Sequence, residues 1–585
     1  MQDCGWKVGG KQGEGIDSTG DIYAIALHRM GYYVFTYRHF MSLIKGGHTN
    51  YKIRVADELV RHHGDLVHVL IAFDQKTIDE NWRELADGAV VVYDGASFEA
   101  TIPEHLNVHL CQVPLTEIAK QAGGAIMKNM VSIGVTAAVH EMDPELFHSV
   151  IEDKFGKKGA KVVEANLKAV REGFNYYQEH YNAHIPMPKP TSKPSADNHF
   201  YVSGNQAAGF GALAGGCRFL AAYPITPATE IMYWMIAEMP KHGGIVVQAE
   251  DEIAAVNMAI GANFAGVPAM TSTSGPGFSL MMEALGLAGM SETPLVIVDV
   301  QRSGPSTGLP TKTEQSDLNE ALYGTHGEIQ RIVLTPRTVE ECFGHTADAF
   351  HLAEKYQMPV IVLTDLYMGM SSQSIDRFPI DTLSNEQGKR MSDEALLALE
   401  SGAFLRYDDT VSDGVSPRSV PGQKNGRFVA LGNEHNGIGL EVEEQYIRQA
   451  QADKRQRKLG DFSHTSGVSV DGKTDAPFAL VGFGSTYGLL EEAREQLVQS
   501  GLKVKHIHFS RVAPFPLDDF TKAMDGVERA LVVELNQQGQ LANVIRQQAG
   551  YHQVLFNGLK YNGDPLYVHE VLERAKQVFP MGVLQ

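Results

Sequence analysis

Cysteine is scarce in this 585-residue chain, and what there is stands apart: Cys4, Cys111, Cys217 and Cys342 form no C-x-x-C pair. That excludes a zinc site or iron–sulfur cluster built from local cysteine spacing, and the four read as buried free thiols. No apolar run approaches the roughly 18 residues a membrane span needs, so no membrane association is expected. The opening MQDCGWKVGG has neither the basic nor the apolar part of a secretory signal, which points to a cytoplasmic location. Basic residues are in deficit: 50 Lys plus Arg against 70 Asp plus Glu leave a formal charge of -20. Phosphate contacts need a cationic excess, so no nucleic-acid partner is expected. An acidic redox protein would be repelled too, and would have to dock mainly on another subunit.

What is present is size and glycine. At 585 residues the chain predicts three or four domains. Its 43% hydrophobic content and 58 glycines suit an α/β protein. The stretch from His184 to Asp197 carries four prolines in a polar setting and reads as a semi-extended tether. Before it come a glycine loop at Gly9 to Gly15, a helix near Ile16 to Met30, strand-like runs at Leu66 to Phe73 and Ala89 to Tyr93, and a charged helical stretch over 142–182. After it, strands are predicted at Val246 to Val247, Ala269 to Thr273, Leu295 to Val300 and Pro359 to Leu363. Their alternation with small-residue helices predicts a doubly wound, mostly parallel sheet. Residues 386–475 are charged and turn-rich, with Gly432-Asn433-Glu434-His435 and the basic run Lys454 to Lys458, and read as a connector. From 476 the chain returns to strand–loop–helix form.

Three segments carry chemistry. Tyr223-Pro224-Ile225-Thr226-Pro227 leaves a strand and starts a helix at about Ala228; its prolines fix the backbone, leaving Thr226 equally suited to cap the helix or to meet a ligand. In Gln248-Ala249-Glu250-Asp251-Glu252, three acids stand at a helix mouth, where the dipole favours each of them. The helix that follows is almost all small or apolar and must be buried, which draws an acid at its mouth partly out of water. The strand AMTST then ends in Ser274-Gly275-Pro276-Gly277. Arg302 follows the strand PLVIVDV, at the carboxyl end where α/β sheets bind ligands, and a planar guanidinium suits a carboxylate. Taken singly, Arg302 reads as an ion-pair residue.

An acid leading an Ala/Gly-rich helix, followed by a strand ending in TSGPG, resembles the pyrimidine-binding domain of thiamine-diphosphate enzymes such as acetolactate synthase. YPITP together with Gln301-Arg302-Ser303-Gly304-Pro305-Ser306-Thr307-Gly308-Leu309-Pro310-Thr311 narrows the resemblance to 2-oxoacid:ferredoxin oxidoreductase alpha chains. GGKQGEG, with Lys45 to Thr49 and Lys52 to Val55, resembles the gamma domain of that family, and the C-terminal stretch looks like that of transketolase-type enzymes. The implied organisation is a gamma-type domain (1–182), a linker (183–198), a pyrimidine-binding domain (199–385), a connector (386–475) and a transketolase C-terminal-like domain (476–585).

The resemblance implies roles. Glu252 would hydrogen-bond N1′ of the aminopyrimidine, so that the exocyclic nitrogen takes the C2 proton; the Glu252-to-Gly261 spacing fits the family and its two acidic neighbours do not. Ser274 and Gly275 would border the cofactor. Thr226 and Arg302, with Tyr223 and Pro224 in the same loop, would hold the substrate carboxylate. Gly10, Gly13 and Gly15 are candidate coenzyme A contacts, whereas the loop Gly482 to Gly488 is read as structural and His48 as a packed histidine. No Gly-Asp-Gly occurs in the chain, so the diphosphate site with its Mg2+ and a 4Fe-4S cluster are expected on a beta subunit, in two alpha–beta pairs. The implied reaction is CoA-dependent oxidative decarboxylation of a 2-oxoacid with electrons passing to ferredoxin, or its reverse. 2-Oxoglutarate is favoured by the fused form with GNEH and PSTGLPT; pyruvate and branched-chain oxoacids stay open. A nucleotide-dependent dehydrogenase would need an acid closing the strand after a glycine loop, and neither loop offers a convincing one. A non-catalytic scaffold is the third reading.

Overall fold

The computed structural model describes residues 3–42, 47–189, 199–378, 380, 383, 388–460, 462 and 466–580. They form two compact units: 3–202 with the returning segment 370–377, and the remainder. The strands are β1 (Asp3–Lys11), β2 (Tyr33–His39), β3 (His48–Ala56), β4 (Val67–Ala72), β5 (Leu85–Asp94), β6 (Val108–Val113), β7 (His199–Ser203), β8 (Phe219–Ala222), β9 (Ile245–Gln248), β10 (Ala269–Thr273), β11 (Leu295–Gln301), β12 (Ile332–Leu334), β13 (Pro359–Asp365), β14 (Ser372–Asp376), β15 (Val468–Asp471), β16 (Phe478–Phe483), β17 (Val504–Phe509), β18 (Arg511–Ala513), β19 (Arg529–Glu534) and β20 (Leu555–Leu559).

The first unit is built on a sheet in the order β6-β5-β4-β1-β3-β2-β14-β7. β6, β5, β4 and β1 run parallel, while β3 is antiparallel to both β1 and β2. The sheet is thus mixed, parallel from β6 to β1 and antiparallel across β3, β2 and β14. Period-two alternation puts Trp6, Val8, Tyr51, Ile53 and Val55 on one face, in a core shared with the helices Ile16–Arg29, Lys128–Val139 and Ala160–His180. The intervening residues Lys7, Lys52 and Arg54 are also buried, and are neutralised locally: Lys7 and Lys52 both reach Glu84 (2.7 and 2.8 Å), and Arg54 reaches Asp3. His48 is a packed residue of β3, its Nε2 3.1 Å from Thr77 Oγ1. β14 gives this sheet a strand from beyond residue 369, within the range 199–385 expected for the pyrimidine-binding domain.

The expected linker is partly docked. Ile185 donates its amide to Val139 O, and Ile185 O meets His140 Nδ1 at 2.8 Å. Residues 190–198 of that stretch, like Lys45 and Gly46, lie outside the described residues.

The second unit holds two sheets. One runs β18-β12-β13-β11-β10-β8-β9, parallel except for β18. From β8 the chain steps outward to β9, then crosses back to β10, β11 and beyond. The order therefore reverses between β8 and β10, a topological switch point of the kind where α/β sheets open a ligand crevice at their carboxyl ends. The other sheet, β15-β17-β16-β19-β20, is parallel except for β15. One apolar core spans both, with Ile297 and Leu363 of the first joined to Val481 and Phe509 of the second, which is why 476–580 belongs to the same unit.

The connector is docked by buried charge. Lys454 and Lys458, one helical turn apart at the end of the helix Gln445–Arg457, both point at Glu292, a fully buried carboxylate (Lys458 Nζ at 2.8 Å). Arg406 donates to the Glu292 carbonyl and Arg418 grips Glu354 with two bonds. In the GNEH segment, Glu434 binds Arg448 and Arg455 while His435 packs on Tyr407 at 4.0 Å.

Candidate active site

The carboxyl ends of β8, β10 and β11 bring the predicted residues together. Asp251 caps the helix Glu252–Phe264, accepting the Ala254 amide at 2.7 Å, and that cap fixes Glu252 as the first helical residue. Of the three acids, Glu250 and Asp251 are exposed while Glu252 is only 5% exposed. Burial raises the Glu252 carboxyl above its ordinary range; Asp251 adds to the rise and Arg302 opposes it.

The Ser274-Gly275-Pro276-Gly277 turn opens the short helix Gly275–Leu280 with Ser274 at the capping position. Gly277 is the reason Glu252 fits: a Cβ there would lie 2.4 Å from Glu252 Oε1 and 2.3 Å from Thr273 Oγ1. The Ser274 hydroxyl is buried without a hydrogen-bond partner among the described residues. These two features, a carboxylate nested in the space a Cβ would fill and an unpartnered hydroxyl beside it, suit the polar edge of an aminopyrimidine.

Arg302 donates from Nη1 to Thr226 O at 2.7 Å and from Nη2 to Thr307 O, while its buried Nε has no partner among the described residues. Burial lowers its pKa, against the influence of Asp317 and Glu252. Thr226 is tied to the site through its carbonyl. It is not the helix cap, since the helix Thr229–Glu238 is preceded by Ala228 in that position with no side-chain cap. Tyr223 and Pro224 follow β8 in the same loop, with Tyr223 40% exposed.

Gly275 and Arg302 line a cavity of about 700 Å³, together with Glu314, Asp317, Glu320 and Gln540. The three acids were not singled out from sequence, because acids near a short helix start are common and carry no signal by themselves. Asp317 stands where a Cβ on Gly275 would be, its oxygens 2.9 and 3.1 Å from that point. Burial, reinforced by Glu320 and Glu314 and opposed by Arg302, pushes its carboxyl up to about 7.

In the first unit the expected Gly9 to Gly15 loop is shorter than read: Gly9 and Gly10 pair with β3 as part of β1, and only Gly13 and Gly15, at φ 96° and 84°, lie in the turn before the helix Ile16–Arg29. Glu14 is anchored there by the Lys11 amide at 2.8 Å and Lys128 Nζ at 2.7 Å. The Gly482 to Gly488 loop is buried, its Phe483 carbonyl held by Gln315 and its Ser485 hydroxyl by Asp365. All four cysteines are buried free thiols. Among the described residues, no helix is long and apolar enough to cross a membrane.

Comparison with known proteins bears on this geometry. The family described as "Pyruvate flavodoxin/ferredoxin oxidoreductase, thiamine diP-bdg" matches residues 210–453, and "Pyruvate ferredoxin/flavodoxin oxidoreductase" matches residues 5–176. The chain is 33% identical to the 2-oxoacid:ferredoxin oxidoreductase subunit alpha of a Sulfolobus species, over 97% of this chain and 96% of that one. It is 31% identical to the 2-oxoglutarate oxidoreductase subunit KorA of Mycobacterium tuberculosis, over 92% and 86%. A solved 2-oxoglutarate:ferredoxin oxidoreductase from Magnetococcus marinus, with 2-oxoglutarate, coenzyme A and succinyl-CoA bound, aligns with a TM-score of 0.91 at 36% identity over 99% of both chains.

Proposed function

Since the chain belongs to the 2-oxoacid:ferredoxin oxidoreductase family as an alpha subunit, we propose that it oxidatively decarboxylates a 2-oxoacid, with 2-oxoglutarate favoured, to an acyl-coenzyme A and carbon dioxide while passing electrons to ferredoxin. The reaction can also run as a reductive carboxylation. The carrying observation is the buried Glu252 carboxylate nested against Gly277 at the switch point of a parallel sheet.

Glu252 holds N1′ of thiamine diphosphate, and its raised pKa suits a carboxyl that shares a proton with that ring nitrogen. Ser274 and Gly275 border the ring. When bound, the cofactor supplies a nucleophilic carbon for the keto group. Arg302 orients the substrate carboxylate through Nε and the free directions of its guanidinium, while Thr226 and Thr307 carbonyls hold that guanidinium in place and Tyr223 and Pro224 shape the loop. Gly10, Gly13 and Gly15 contribute to the coenzyme A site. A separate beta subunit holds the diphosphate, Mg2+ and a 4Fe-4S cluster, and two alpha–beta pairs assemble in the cytoplasm. Names and ligands of the M. tuberculosis and M. marinus relatives support 2-oxoglutarate over pyruvate and branched-chain oxoacids.

The test is co-expression with a candidate beta chain and viologen reduction across a panel of oxoacids, with and without coenzyme A. Activity is expected to need both chains, and Glu252→Gln should abolish it while assembly persists. Near-normal turnover by Glu252→Gln, or oxidation of hydroxy acids with a bound nicotinamide or flavin, would overturn the reading.

A further inference from the structure

Asp317 sits in a wall built to hold its backbone still. Its amide donates to Gln301 Oε1 at 3.0 Å, and Gln301 is anchored in turn to Thr364 O. Gln540 clamps the neighbouring backbone, accepting the Asn319 amide at 2.9 Å and donating to Ser316 O at 2.8 Å. Yet Asp317 Oδ2 is buried with no hydrogen-bond partner among the described residues. On β11, Asp299 is fully buried and both of its oxygens are likewise without partners. A buried carboxylate oxygen that receives no donor is costly, and the group avoids the cost by holding a proton. Burial first, and then the nearby Asp317 and Glu320, hold the Asp299 carboxyl well above the carboxylate range, so charge on one of these acids disfavours charge on the other. Asp317 is the member that faces the cavity, beside Gly275 and Arg302.

We propose that Asp317 is a catalytic acid–base residue, giving a proton to the keto oxygen of the 2-oxoacid and taking it back when the carbonyl re-forms. This rests on the 2-oxoacid reading of the cavity. When a nucleophile adds to the keto carbon, the carbonyl π pair would move to oxygen, which would take the Asp317 proton and leave Asp317 a carboxylate. The bond to the carboxylate carbon breaks, carbon dioxide departs, and the bonding pair stays behind. Two electrons would then leave singly to the iron–sulfur acceptor of the ferredoxin-dependent reaction, the hydroxyl carbon would become a carbonyl again, and its proton would return to Asp317; the coenzyme A sulfur would then bond to that carbonyl carbon as the bond to the first nucleophile breaks, the thiol proton going to the departing nucleophile. Protons balance on Asp317 over this sequence. The groups that set its titration are Asp299 and Arg302 from β11 and the residue after it, Glu314 from the preceding loop, and Glu320 from its own helix Leu318–Tyr323. The helices Gly275–Leu280 and Gln540–Ala549 add only uncharged side chains to the lining.

The test compares wild type, Asp317→Asn and Asp317→Glu in the full chain reconstituted with its beta chain. Infrared titration of the full chain alone should show a carboxyl band lost as pH rises through about 7 that is missing in Asp317→Asn. In turnover, kcat should fall by about 10²-fold or more in Asp317→Asn, the loss of one general acid–base group. KM for the oxoacid and thiamine diphosphate binding by fluorescence should change little. Wild-type kcat/KM should fall as pH rises through about 7, a limb absent in Asp317→Asn and displaced but present in Asp317→Glu. An Asp317→Asn enzyme that keeps wild-type kcat or the limb overturns the proposal while leaving the oxoacid reading intact. A wild-type complex that turns over no oxoacid sinks that reading instead. If Asp317→Asn does not fold, Asp317→Glu decides: an unmoved limb refutes the role.

Discussion

Gly277→Ala isolates the placement of Glu252 from its chemistry, because nothing reactive is removed. Inside a helix the change alone would stabilise by about 0.5–1 kcal/mol, since alanine loses less backbone entropy than glycine. Here the new methyl would begin 2.4 Å from Glu252 Oε1, and ordinary contact starts at 3.4 Å, so the carboxylate must retreat by about 1 Å. Thr273 Oγ1, at 2.3 Å from the same point, blocks the methyl from shifting instead. A displacement of about 1 Å in a catalytic group can cost roughly 10²-fold in rate. The expected result is therefore a subunit that still folds but is destabilised by about 1–3 kcal/mol of overpacking, with kcat for oxoacid-dependent viologen reduction down by about 10²-fold. A kcat within about threefold of wild type, a barrier change under about 1 kcal/mol, would refute the assignment of Glu252 as the positioned carboxylate.

Arg302→Ala should raise KM for the oxoacid far more than KM for the electron acceptor; equal effects would remove Arg302 from the substrate. Glu292→Ala leaves the buried Lys454 and Lys458 unpaired and should destabilise the second unit by about 3–5 kcal/mol in denaturant unfolding. Glu84 titrates in the opposite corner of the pH scale from Asp317: burial would raise it, but Lys7 and Lys52 outweigh burial and hold it down to about 2. A depressed carboxyl stabilises the fold above its unfolded pKa and loses that contribution as pH falls from about 4.5 to about 2, some 3 kcal/mol. Glu84→Gln should flatten the loss of first-unit stability across that window, as followed by circular dichroism.

The central strands were legible because a buried parallel sheet writes itself as short apolar runs: β10 falls on the predicted Ala269 to Thr273, and β11 and β13 extend their predicted runs by one and two residues, whereas the edge and antiparallel strands β2, β3, β6, β14 and β15 carry no such run. Glu252 was separable from Glu250 and Asp251 only by resemblance, since a helix dipole favours all three; burial supplies the physical distinction. The connector was misleading for a related reason. Its charged, turn-rich sequence reads only as a connector, yet Lys454 and Lys458 are directed inward at Glu292, 162 and 166 residues away in sequence, and no local pattern reports a partner that distant. Asp317 was missed likewise: its meaning comes from the absent side chain of Gly275 and from Gln540, both far along the chain.

The cavity's charge bears on which oxoacid this subunit can select. Arg302 is the one cationic side chain among the described residues of the lining, and it faces Glu314, Asp317 and Glu320. One substrate carboxylate can be met by its guanidinium. A second, as on 2-oxoglutarate, would enter a region where carboxyl groups already raise one another's pKa, and like charges at such range are unfavourable unless protons or a cation offset them. A protonated Asp317 removes one of those charges without supplying attraction. On the two-chain reading proposed above, selectivity for a dicarboxylate over pyruvate would draw its second cation from the proposed beta chain. On this account, exchanging the beta subunit should change the oxoacid preference while leaving dependence on Arg302 intact.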